Sequence, residues 1–202
     1  MKDVSRVVVT GMGVVSPVGN TVASYWTSLK QGVSGIGPIT QVPRAEQLVQ
    51  KIAAEVKDFD PLRHFDEREL SALDRVSQFA VVAAREAIAQ AAIVLDEQLS
   101  LKTAAIIGTG AGGQITTDES FWRIYRENKS RVLPLTVPKL MVNAPASQVS
   151  IKCGIRGPAF VIASACASAT HAIGLAFHMV RSGQVACAVT GGSEACITYV
   201  YS

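Results

Sequence analysis

One cysteine in this chain stands where a nucleophile would. Cys166 lies in Ser164-Ala165-Cys166-Ala167-Ser168-Ala169, a run of small residues joining two segments of different periodicity. Before it, Pro158 to Ala163 carries Phe160, Val161 and Ile162 in a row, the pattern of a short buried strand. After it, Ile173, Phe177 and Val180 recur at helical spacing between Ala167 and Arg181, with Gly183 as a stop signal. A sharp strand-to-helix turn points its central side chain outward and leaves no room for bulky neighbours. The start of a helix also offers unpaired N–H groups and a partial positive charge, which favour a thiolate and can hold a developing oxyanion. A cysteine buried simply for packing fits the same local pattern. The local pattern leaves a covalent nucleophile and a structural thiol both open.

Few other residues offer chemistry. Cys153, Cys187 and Cys196 form no Cys-x-x-Cys pair, and His64, His171 and His178 have no zinc-ligand spacing, so no metal site is expected. All three histidines are expected to be structural or solvent-facing. His171, five residues along the helix from Cys166, is expected to point to another face than the helix start. Gly11-Met12-Gly13 fails as a dinucleotide loop because Ser16 holds the last glycine position, and a structural turn accounts for it better. Gly108-Thr109-Gly110-Ala111-Gly112-Gly113 matches that pattern literally. However, no apolar strand ending in an acid follows at the ribose-binding distance, so a nucleotide is not expected there. Lys129 to Arg131 forms a basic loop tip, on its own a solvated turn.

The elements that must position Cys166 alternate between strand and helix. Arg6 to Thr10 is expected to be a buried strand and Thr21 to Lys30 a helix containing Trp26 and Leu29. Gly32 to Asp66 reads as an irregular connection with one possible strand at Ile52 to Val56. Asp74 can cap a helix from Arg75 to Ala92 whose stripe is Val76, Phe79, Ala80, Ala83, Ala87 and Ala91. Thr103 to Ile107 is a buried strand and Thr117 to Glu127 is helical. Pro134 and Pro138 break the chain, and Asn143 can cap a helix ending at Gly154. Val185 to Thr190 is the last strand. This alternation implies an α/β fold, a mostly parallel sheet with helices on both faces.

The 202 residues suffice for a substantial core and one domain. With 49% hydrophobic and 17% charged residues the chain is globular, and a net charge of +3 does not argue for nucleic acid. No apolar run reaches the roughly 18 residues of a membrane helix, so no membrane partner is expected. Met1 to Thr10 lacks a signal-peptide core. A reduced, cytoplasmic protein without disulfides is expected.

The stretch ASACASATHAIG resembles the nucleophile segment of the β-ketoacyl–acyl carrier protein synthases, the condensing enzymes of fatty acid and polyketide synthesis. It is closest to the chain-elongating type II enzymes. The resemblance extends through VVVTGMGVVSPVGN, LDRVSQFAVVAAREA, IIGTGAGG, IRGPAF and VTGGSEACIT, in the family's order and spacing. It implies a thiolase-like fold, in which two similar α/β halves pack into five layers. Residues 1–202 would form the N-terminal half. It also implies that Cys166 takes an acyl chain as a thioester before decarboxylative Claisen condensation with a malonyl carrier protein. No cofactor is implied.

Ala111 would line the acyl pocket, at a place where related enzymes carry a bulky aliphatic gate; longer or stiffer chains would then fit. Acyl carrier protein would dock on Arg68 and on the loop tip of Lys129 and Arg131. Pro158 to Ala163 would pair antiparallel with its copy in a homodimer. The family's two histidines and lysine lie in His-Gly-Thr and Asn-x-x-Phe-Gly-Phe-Gly-Gly segments, and neither occurs in these 202 residues. The chain alone is therefore expected not to condense. Tyr199 to Ser202 replaces a Pro-containing continuation, as in a truncated or frameshifted product or a split enzyme that pairs with a C-terminal half. Two rivals remain. A cysteine hydrolase would need a downstream acid and histidine, and almost nothing follows Cys166 except His171 and His178. A non-catalytic half-chain pairing with a complete synthase is compatible with an intact cysteine turn.

Overall fold

The computed structural model describes residues 6–43 and 45–201. In chain order the elements are α1 (Val22–Lys30), β1 (Gly37–Pro38), β2 (Ile52–Ala53), α2 (Glu67–Ser71), α3 (Arg75–Gln90), α4 (Glu97–Leu101), β3 (Thr103–Gly108), α5 (Gln114–Tyr125), α6 (Thr136–Leu140), α7 (Ala144–Cys153), β4 (Ala159–Ile162), α8 (Ser168–Arg181) and β5 (Cys187–Gly192).

The centre is a parallel sheet of order β4-β3-β5. All six residues of β3 are buried, so it reads as a continuous apolar run rather than an alternating one. Its side chains still divide by parity. Ala105 and Ile107 face α3 and α7, packing with Val81, Ala84 and Val149, while Ala104 and Ile106 face Ala172 and Ala176 of α8. Helices therefore cover both faces, as the alternation implies. Each fully buried Val or Ile there contributes about 1.5–3 kcal/mol.

Asp74 caps α3 by accepting the Val76 N–H, as expected. It also reaches α5, where Thr116 donates both its N–H (2.8 Å) and its hydroxyl (2.7 Å) to the other carboxylate oxygen. α2 is fastened to α7 by the Lys152–Glu69 ion pair at 2.7 Å. That contact, more than any other, holds the Glu69 carboxyl below its usual range.

Several expectations need correction. Arg6 to Thr10 is not a buried strand: among the described residues it joins no ladder, and Val9 is 81% exposed. A strand exists only through its ladder, and none of the three sheet strands takes this segment as a neighbour. The chain that follows it lies on α3 instead. A Cβ on Gly13 would stand 1.9 Å from Ala83 O, and the Val14 N–H donates to Glu86. That close approach, rather than a turn, explains the glycine.

The expected strand at Ile52 to Val56 shrinks to Ile52–Ala53, paired with Gly37–Pro38. Pro138 sits inside α6, in the first turn, where its missing N–H has no helical acceptor to lose. Asn143 occupies the cap position of α7 but makes no side-chain cap bond, because it has the αR backbone. α1 buries none of its residues, and Trp26 and Leu29 on it are exposed. Ser202 lies outside the described residues.

Candidate active site

The C-terminal ends of the three parallel strands converge, the usual place for a ligand site in such sheets. β4 leads into Ser164-Ala165-Cys166, and α8 begins two residues after the cysteine. Ala165 has φ +50°, a left-handed conformation that costs about 1–2 kcal/mol for a residue with a side chain. The surroundings hold it there. Ser168, 4% exposed, accepts the Ser164 N–H at 2.8 Å and donates its hydroxyl to Ala165 O at 2.7 Å. The Ala167 N–H closes the turn onto Ser164 O. β3 abuts the first turn of α8 so closely that a Cβ on Gly108 would lie 2.3 Å from the Ser168 carbonyl carbon. The strained backbone turns Cys166 outward, where it is exposed and unpaired. Among the described residues Cys166 is not packed into a core, which favours the nucleophile over a thiol buried for packing.

The other cysteines differ. Burial pushes the Cys153 thiol up, and burial followed by the nearby Glu194 pushes Cys196 up. Cys187 is half-buried, 3.1 Å from the Thr103 hydroxyl. All four cysteines are free.

His171 is not turned away from the elbow. Its Nδ1 lies 2.7 Å from the Ser164 hydroxyl. Helical side chains lean toward the N-terminus, which carries a residue on the second turn back over the start. His64 is stacked on Phe59, and His178 sits edge-on to Phe177; both histidines are exposed.

Ala111, half-buried, lies in the loop after β3. Its neighbour Gly110 faces the elbow: a Cβ there would be 3.6 Å from Ala165 Cα. The loop that carries Ala111 thus approaches the turn that carries Cys166 through Gly110. In the same loop the Gly110 N–H donates to the Glu194 carboxylate at 2.8 Å. A phosphate cradled by this glycine-rich loop would meet a negative charge, which disfavours the nucleotide alternative. Arg68 is exposed on α2, and Lys129 and Arg131 are exposed on the loop that folds back onto the end of α5 through Arg123. These three cations sit on two separate elements. A cavity of about 1580 Å³ opens between α5, residues 41–60 and residues 194–200; neither Cys166 nor Ala111 lines it.

Sequence reasoning missed Ser168 and Glu194. Ser168 is the first residue of a helix beginning with a small polar side chain, a signal that was available. Glu194 had none, since its partners lie 84 and 85 residues away.

The family described as "Beta-ketoacyl synthase, N-terminal domain" matches residues 4–201. Among curated proteins, the chain is 38% identical over 200 residues to 3-oxoacyl-acyl-carrier-protein synthase 2 of Staphylococcus aureus (strain COL), covering 99% of this chain and 48% of that protein. It is 37% identical to the protein of the same name from Synechocystis sp., covering 96% and 46%. Among solved structures, the ishigamide ketosynthase/chain length factor superposes with TM-score 0.87 at 29% identity, covering 96% of this chain and 48% of that one. A β-ketoacyl synthase from Burkholderia phymatum gives TM-score 0.75 at 25% identity over 89% and 44%. The chain spans about half the length of the curated relatives it matches.

Proposed function

This chain belongs to the β-ketoacyl synthase family through its N-terminal domain, and from that premise we propose that it is the acyl-accepting part of a 3-oxoacyl–acyl carrier protein synthase. The observation that carries the reading is the exposed Cys166 on a backbone strained at Ala165, at the head of a 14-residue helix. In the first step the Cys166 sulfur attacks the carbonyl carbon of an acyl thioester. The carbonyl electrons move to oxygen, held by helix-start N–H groups. Collapse expels the carrier's thiolate, which takes up the proton lost by Cys166, and leaves the acyl chain on the enzyme. In the second step a malonyl thioester loses carbon dioxide, and its enolate carbon attacks the acyl carbonyl. Cys166 leaves as the thiolate, and the chain is two carbons longer.

The elbow serves the first step. The second needs groups that stabilise the enolate, and the family's segments for that are absent from these 202 residues. A single oxyanion donor is worth about 3 kcal/mol, so losing two histidines and a lysine removes several orders of magnitude from the rate. The decisive assay offers the chain acyl and malonyl carrier proteins. We expect acylation of Cys166 without β-ketoacyl product. Product above a Cys166→Ala blank, with no second polypeptide present, would mean that His64, His171 or His178 performs the missing chemistry.

Ala111 carries only a methyl in the loop after β3, which on this reading suits long or stiff acyl chains. Arg68, Lys129 and Arg131 are exposed cations suited to an acidic carrier protein. Exposed Val8, Val9, Trp26 and Ile36 favour association with further polypeptide, either a second copy or a C-terminal half. Four free cysteines fit a reducing cytoplasm. Pairing with a different ketosynthase-type subunit is the second reading, favoured by the likeness to a ketosynthase/chain length factor.

A further inference from the structure

The acyl-transfer step as written uses neither Ser164 nor His171, yet the two side chains meet at the elbow. Ser164 is held at three points by the chain that follows it. Its N–H donates to the Ser168 hydroxyl oxygen at 2.8 Å, and its carbonyl oxygen accepts the Ala167 N–H at 3.1 Å. Its side-chain oxygen lies 2.7 Å from His171 Nδ1. The first two partners belong to the turn and the first residue of α8. His171 stands further along, fixed in the helix by its own N–H, which donates to Ala167 O at 2.9 Å. The β3–β4 register ends at Ile162, so the sheet does not hold Ser164 directly.

The next residue is the strained one. Ala165, at φ +50°, relaxes unless it is fixed on both sides. On its C-terminal side its carbonyl oxygen accepts the Ser168 hydroxyl and the Ser168 N–H. On its N-terminal side stands Ser164, and the side chain of Ser164 is tied beyond the turn only by His171. We propose that His171 is a positioning residue: through Ser164 it clamps the strained turn in the conformation that presents Cys166 at the start of α8. That the clamp serves acyl transfer rests on the acyl-acceptor reading, but the clamp itself is geometric and acts on thiol reactivity alone. A hydroxyl both donates and accepts, so the bond forms with either imidazole tautomer. Ser164 is half-buried and His171 exposed, so water competes for the bond. Its effect on a rate is that of one net hydrogen bond, about three- to tenfold.

The test follows alkylation of each cysteine by iodoacetamide in the 202-residue chain, by timed peptide mapping, which requires no turnover. Ser164→Ala and His171→Ala should each slow Cys166 by about fivefold, because the thiol spends less time where the helix start favours the thiolate. The double variant should be no slower than either single one, since both remove the same bond. His171→Asn, whose side-chain amide reaches the place of Nδ1, should stay within about twofold of wild type. The half-buried Cys153 and Cys196 are internal controls in the same digest, since a general loosening of the fold would speed them. Slowing in His171→Ala but not in Ser164→Ala would mean that the imidazole acts on the thiol directly, and overturns the clamp. So do unchanged rates in both Ala variants, additive losses in the double variant, or an Asn variant as slow as the Ala variant. Faster modification of Cys153 and Cys196 in the Ala variants would reduce the bond to general stability and overturns it as well. A clamp that behaves as expected in a chain that takes no acyl group from a thioester overturns only the acyl-acceptor reading.

Discussion

At the scale of single residues, one thiol is set apart from three others by position. Cys166 is exposed on a turn, while burial raises the Cys153 and Cys196 thiols. Only the thiolate reacts with iodoacetamide. Cys166 should therefore be modified first at neutral pH. Cys153 and Cys196 should react appreciably only as the pH rises above the ordinary thiol range, because their raised values keep them protonated. Timed peptide mapping across a pH series checks this; earlier modification of either one in folded protein contradicts it. The exposed thiol was legible in the sequence because small residues, a strand and a helix must coincide to form such a turn. Its support was not. The φ of +50° at Ala165 and the two bonds of Ser168 are local details that many small-residue turns lack.

At the scale of elements, Asp74 connects two helices. It caps α3 and holds the start of α5 through Thr116, with Asp74 2% and Thr116 4% exposed. Asp74→Ala removes a cap and leaves buried donors on Thr116 unpaired, which should cost about 3 kcal/mol. Asp74→Asn, with one acceptor left, should cost less. Denaturant unfolding of both variants measures this, and a change under about 0.5 kcal/mol for the Ala variant would refute the link. The cap was legible, because an acid precedes the periodic stripe of α3; the bond to Thr116, 42 residues on, was not. The same division holds elsewhere. β3, β4, β5 and α8 follow from apolar runs and periodicity. Arg6 to Thr10 has an equally apolar run, but pairing decides whether such a run becomes a strand, and pairing is not a local property. Pro138 was misjudged because a proline's cost depends on its position in the helix, which its mere presence does not reveal.

At the scale of the molecule, β4 is an edge of the sheet, and edges invite pairing. We expect two copies to join antiparallel along Ala159–Ile162, continuing the sheet across a two-fold axis. Sedimentation velocity at micromolar concentration should give a dimer, and Val161→Pro, which removes a strand N–H, should weaken it. A folded wild-type chain that remains monomeric would refute this arrangement. The convergence of β3, β4 and β5 on one cysteine has a more direct consequence. The chain should accept an acyl group by itself, since attack on a thioester needs only a nucleophile and an oxyanion site. The measurement is intact-mass spectrometry of the 202-residue chain after exposure to a decanoyl thioester, followed by peptide mapping. The account predicts one hydroxylamine-labile decanoyl group, on Cys166, absent from Cys166→Ala. No acyl adduct on folded protein, or an adduct on Cys153, Cys187 or Cys196 instead, would contradict it.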